Sequence, residues 1–138
     1  RLLNNCNFAP MENNGRVLKI VLFLAYVGAV AYLCFGTFET NPRIPRTILN
    51  IPVDKVVHSL MFFPFPILGT LALDYRSWWR SLCVSVFAAN IVAFIFENLQ
   101  SHINPSRVTD AADLNANLLG ITFGLMLAVI IGLLRKKK

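Results

Sequence analysis

Charge is scarce in this chain, and the scarcity excludes most ordinary readings of a protein this small. Only 14% of the 138 residues are charged while 56% are hydrophobic, whereas a soluble domain carries about 25% charged residues. Seven residues are acidic, too few to cover a water-facing surface. Cysteine is also sparse: the three residues Cys6, Cys34 and Cys83 make no disulfide framework, because Cys34 ends the first apolar segment and Cys83 begins the third, at opposite ends of an up-and-down bundle. No serine or cysteine stands in a nucleophile elbow; Ser101 and Ser106 lie near the polar segments without that signature, which disfavours covalent catalysis.

What the chain has instead is long apolar runs. Four of them, about Val17–Gly36, Val53–Leu73, Leu82–Leu99 and Ala111–Leu134, suit the roughly 20 helical residues needed to cross a bilayer core. The fold class expected is all-α, an integral membrane bundle of four transmembrane helices with short loops. Residues 17–138 form one domain and residues 1–16 a flexible N-terminal tail, whose opening "RLLNNCNFAP" reads as tail or as sequence upstream of the natural start. Arg16 and Lys19 ahead of the first run also suit a signal peptide, but the run continues for about 20 residues without an Ala-x-Ala cleavage site, so it reads as a retained span.

Basic residues give the orientation. Arg16, Lys19, Arg76, Arg80 and the terminal Arg135, Lys136, Lys137 and Lys138 fall on one side of the bundle, against Arg43, Arg46, Lys55 and Arg107 on the other. By the positive-inside rule both termini are cytoplasmic. The net charge of +6 therefore implies no nucleic acid; the terminal "RKKK" faces anionic headgroups, and Trp78 and Trp79 sit at the same inner interface.

The few acids are then placed oddly. Glu97, Asp110 and Asp113 fall within seventeen positions, and with "VDKVVHSL" at the start of span two they gather at the outer end of the bundle. Asp54 and His58 are four apart, so they share one face of span two, continuing to Met61 or Phe62. Glu97 and Gln100 share a face of span three. Asp110, Asp113, Asn117, Gly120 and Gly124 step by three and four along one side of span four. Polar residues in spans face the bundle interior or a wet cavity, so these faces turn toward one another, while Gly120 and Gly124 serve close helix packing. Pro64 and Pro66 are expected to kink span two. The plain alternative is a hydrogen-bonded lock among Asp54, His58, Glu97, Gln100 and Asn117, with Arg107 neutralising acids and Asp110 capping its helix.

The order "DKVVH", "ENLQ" and "RVTDAADLNANLLG" resembles the VanZ-like family of small polytopic membrane proteins. The matching positions are Asp54, Lys55, His58, Glu97, Gln100, Arg107, Asp110, Asp113, Asn117 and Gly120, within about Val53–Leu127. The resemblance implies a multi-pass protein of the bacterial cytoplasmic membrane, concerned with the cell envelope and linked through the founding member to teicoplanin resistance. It implies no agreed mechanism.

From the residues themselves, three function classes stay open. In an enzyme acting on a lipid or lipid-linked envelope precursor, His58, Glu97, Asp110 and Asp113 are the candidate catalytic groups. Asp54, Lys55, Gln100, Arg107 and Asn117 are the candidate substrate-binding groups, with Lys55 and Arg107 suited to a lipid phosphate. No cofactor is required; Mg²⁺ or Mn²⁺ is the variant that one histidine among carboxylates would suit, with His102 a weaker second imidazole. The second class is a non-catalytic binder of a headgroup or glycopeptide, and the third, disfavoured by the apolar inner halves of spans two and four, is a proton-coupled transporter.

Overall fold

A bilayer-spanning helix satisfies its own backbone, so long apolar runs become helices before any packing is decided. In a computed structural model, which describes residues 11–36, 47–48, 51–73, 77–103 and 111–136, the chain forms α1 (Met11–Phe35), β1 (Thr47–Ile48), β2 (Ile51–Pro52), α2 (Val53–Phe62), α3 (Phe65–Leu73), α4 (Trp78–Ile103) and α5 (Ala111–Lys136). Four stretches are long and apolar enough to cross a membrane, at Asn14–Phe35, Val53–Leu73, Trp78–Gln100 and Ala111–Arg135. All four expected spans are present. The first helix begins at Met11, ahead of its apolar run, and α4 exceeds its expected limits at both ends. The pair β1 and β2, antiparallel with Thr47 opposite Pro52 and Ile48 opposite Ile51, was not expected; it leads directly into α2.

The second span is two helices. Prolines lack the N–H that would continue an i to i−4 ladder, and α2 ends at Phe62, just before Pro64, with α3 resuming at Phe65. Side chains bond the carbonyls around the break: the Tyr26 hydroxyl donates to Met61 O, and Ser85 Oγ lies 3.2 Å from both Phe65 O and Pro66 O. The expected kink is thus a break between two helices, with Phe63 N still donating to Ser59 O at 3.1 Å, and the two pieces differ in partner. α2 packs chiefly on α5, whereas α3 packs on α4, α1 and α5.

Lipid is as apolar as leucine, so helices in a bilayer associate through close packing of small residues rather than hydrophobic exclusion. The buried face of α4 follows that rule, running through Ser81, Ser85, Ala89 and Ala93 at steps of four before it reaches Glu97. Large apolar residues such as Phe87, Phe94 and Ile95 point outward. Between the helices lies a core of Val30, Phe62, Phe65, Ala89, Ala93 and Ile121, in which Phe23 meets Phe65 edge to face at 5.2 Å.

Candidate functional site

Two ends of the bundle differ in chemistry. α1 and α4 finish, and α2 and α5 begin, at a polar end; Trp78, Arg80 and Arg135 mark the opposite, basic end. The polar end is built on α2 and α5, which run parallel in register. Lys55 pairs with Asp113; one turn on, His58 Nδ1 lies 3.1 Å from Asn117 Oδ1; then Gly120 meets the Ser59 carbonyl and Gly124 the Phe63 carbonyl. The stripe on α5 is therefore a contact face, and its glycines are needed because a Cβ at either position would overlap a backbone oxygen.

Of the expected α2 face, His58 and Phe62 turn inward, and Lys55 stands where Asp54 was expected. Lys55 and His58 look at α5, while Asp54 is half exposed and reaches Lys55 only at 3.6 Å. An α-helix advances 100° per residue, so α2 turns the 55/58/62 edge inward, with Phe62 fully buried.

The other polar pair sits on α4. Glu97 and Gln100 are 6% and 5% exposed, as their shared face requires, and Gln100 Nε2 donates to Cys34 O at 2.7 Å, tying the last turn of α4 to the last turn of α1. Glu97 Oε2 is shut off from solvent. A carboxyl group held in such surroundings is costly and marks an interior site in a membrane bundle. Asp110 and Arg107 lie outside the described residues. Among the described residues no three His, Cys, Asp or Glu side chains are grouped to hold a metal ion, and neither Cys34 nor Cys83 forms a disulfide.

Burial sorts the candidates. His58 at 5% and Asn117 at 1% exposure are interior groups, and the side chains of Lys55 and Asp113, at 17% and 16%, stand nearer the surface. Sequence reasoning brought Lys55, His58, Asp113 and Asn117 together as candidates, and the fold joins them in two direct pairs. It missed Tyr26 and the Cys34 carbonyl, since a backbone acceptor leaves no trace in a sequence. At the basic end, Trp78 donates to Ala128 O at 3.2 Å and lies under Arg135 at 4.8 Å, so it docks on α5 while Trp79 stays exposed.

Comparison with known proteins decides the family. The VanZ/LLP1 family model matches residues 3–132. This chain belongs to the VanZ/LLP1 family. No curated protein and no solved structure matches it. The family match covers the first three spans of this VanZ-like membrane protein and the fourth as far as residue 132, beyond the Val53–Leu127 stretch that carried the resemblance.

Proposed function

We propose that this VanZ-like protein works on the headgroup region of a lipid or lipid-linked cell-envelope molecule at the outer leaflet of the bacterial cytoplasmic membrane, with both termini in the cytoplasm. The observation that carries the reading is the buried His58–Asn117 pair, one turn from the Lys55–Asp113 ion pair on the same helix interface. An imidazole with a fixed partner on one nitrogen is the usual setting of a general base, and a cation nearer the surface suits an anionic headgroup.

The reaction class is hydrolysis or group transfer. In the hydrolytic form His58 takes a proton from water as the water oxygen bonds to the phosphorus or acyl carbon. The departing oxygen leaves with the electron pair of the broken bond and receives a proton from the protonated base or from a carboxyl group such as Glu97. Lys55 and Arg107 hold the anionic group, Asp113 orients Lys55, Asp54 and Asp110 supply further carboxylates, and Gln100 holds the outer turns of α1 and α4 together. A bound Mg²⁺ or Mn²⁺ is not needed for these steps. A change in surface lipid or precursor alters the access of teicoplanin to its target, which is how such an activity would bear on glycopeptide resistance.

The same groups would serve a binder that holds the headgroup without turnover. Relay transport fits less well, because the buried hydroxyls of Thr70 and Ser85 toward the basic end donate to backbone carbonyls of α3. The deciding experiment is mass-spectrometric comparison of envelope lipids and lipid-linked precursors from cells carrying wild type, His58→Ala and Glu97→Gln at matched levels. A species formed or consumed only with wild type is expected. Identical profiles beside an intact wild-type phenotype would replace the enzyme by the binder.

A further inference from the structure

Asn117 was a candidate for binding substrate, but its surroundings give it other work. At 1% exposure it is among the largest fully buried side chains, deeper than Lys55, whose side chain is 17% exposed. Its amide oxygen lies 3.1 Å from His58 Nδ1, and a carbonyl oxygen only accepts hydrogen bonds. With the amide so oriented, the ring nitrogen facing it is the donor. In a neutral imidazole one nitrogen donates and the other accepts, which leaves the lone pair on Nε2.

The contact is held in place on both sides. One turn toward the polar end, Lys55 and Asp113 pair; immediately beyond His58, the Ser59 carbonyl abuts Gly120 on the same face of α5 as Asn117. Sliding α2 along α5 by one residue in either direction breaks the ion pair or drives the Ser59 and Phe63 carbonyls off Gly120 and Gly124. The histidine and its amide partner thus meet in a fixed register.

From this geometry we infer that Asn117 is a positioning residue that locks His58 in the Nδ1–H tautomer and presents Nε2 as the atom that accepts the substrate-side proton. The inference rests on the reading of His58 as the base. It adds which nitrogen reacts and what fixes it. An asparagine does this without the negative charge that an aspartate would add to a helix interface inside the bilayer, where an uncompensated charge is costly.

The chain contains two histidines, which makes the tautomer directly readable. His102 is exposed and bonds Asn98 O of its own helix, so His102→Gln leaves His58 as the sole imidazole. The full-length protein with ¹⁵N-histidine in lipid nanodiscs, observed by nuclear magnetic resonance at a pH where the ring is neutral, is expected to show the proton on Nδ1 and a bare Nε2. In Asn117→Leu the acceptor is gone and the proton moves to Nε2, the usual tautomer of free histidine; Asn117→Asp, which keeps an acceptor oxygen, retains Nδ1–H. A proton on Nε2 in the Asn117-containing protein overturns the inference, as does an Nδ1–H signal that survives in Asn117→Leu. Should Asn117→Leu fail to fold, the spectra of the Asn117-containing and Asn117→Asp proteins still decide it. Where the lipid comparison reveals turnover, Asn117→Leu lowers it by about 10- to 100-fold, the effect of removing a histidine's orienting partner in metal sites. An Nδ1–H tautomer without any lipid turnover would sink the enzyme reading, and with it Nε2 as proton acceptor, and leave only the tautomer lock standing.

Discussion

Gly120 of α5 faces the Ser59 carbonyl of α2 so closely that a methyl group at position 120 would overlap the oxygen. Backbone cannot yield as a side-chain tip can, so the helices themselves would have to separate. Gly120→Ala is expected to cost about 1–3 kcal/mol, the usual range for overpacking, and to part His58 from Asn117. Thermal unfolding in nanodiscs checks the first effect and the histidine spectrum the second. An unchanged Tm would mean that the Ser59 carbonyl does not rest on Gly120.

The Lys55–Asp113 pair is partly buried, and removing one member leaves the other charge facing a helix interface. Lys55→Met and Asp113→Asn are each expected to destabilise the protein by about 2 kcal/mol, below the full penalty of a deeply buried pair. The double variant should cost clearly less than the two losses added. Strict additivity in such a cycle would show that the two groups do not interact.

Gln100 ties α4 to the Cys34 carbonyl at 2.7 Å, and the Cys34 side chain is 4% exposed. In a Cys6→Ser, Cys83→Ser background, a thiol reagent should label Cys34 slowly. Gln100→Leu frees the last turn of α1 and should raise that rate several-fold. Equal rates would count against the tie.

Tyr26 donates to Met61 O where the second span breaks. Interhelical hydrogen bonds in bilayers contribute about 0.6 kcal/mol on average, so Tyr26→Phe should lower unfolding stability by about that amount while leaving the His58 spectrum unchanged. A loss of the Nδ1–H signal in this variant would show that the break, rather than α5, sets the position of α2.

The four spans were legible because hydropathy and length suffice to define them, and the α5 stripe because Asp113, Asn117, Gly120 and Gly124 all step by three or four. The limits of α4 were less so. Asn98 and His102 look like the end of an apolar run, yet both bond carbonyls one turn back, Phe94 O and Asn98 O, and the helix continues through them to Ile103. Asp54 seemed to belong with His58 because a spacing of four puts both on one face. Spacing fixes which residues share a face but not which way it turns; the α5 glycines settle that by admitting only the edge that carries Lys55 and His58. Tertiary bonds to main-chain oxygens, such as Tyr26 to Met61 and Gln100 to Cys34, depend on where helices cross and have no sequence pattern.

The proline interruption divides the labour within a single crossing of the bilayer. Between the basic end, where Trp78 docks against Ala128, and the turn that carries His58, the second span is jointed at Phe63 and Pro64. The fourth span has no such joint: α5 is continuous from Asp113 and Asn117 to Arg135. The fourth span is thus the unbroken rod against which the His58 turn of α2 is seated.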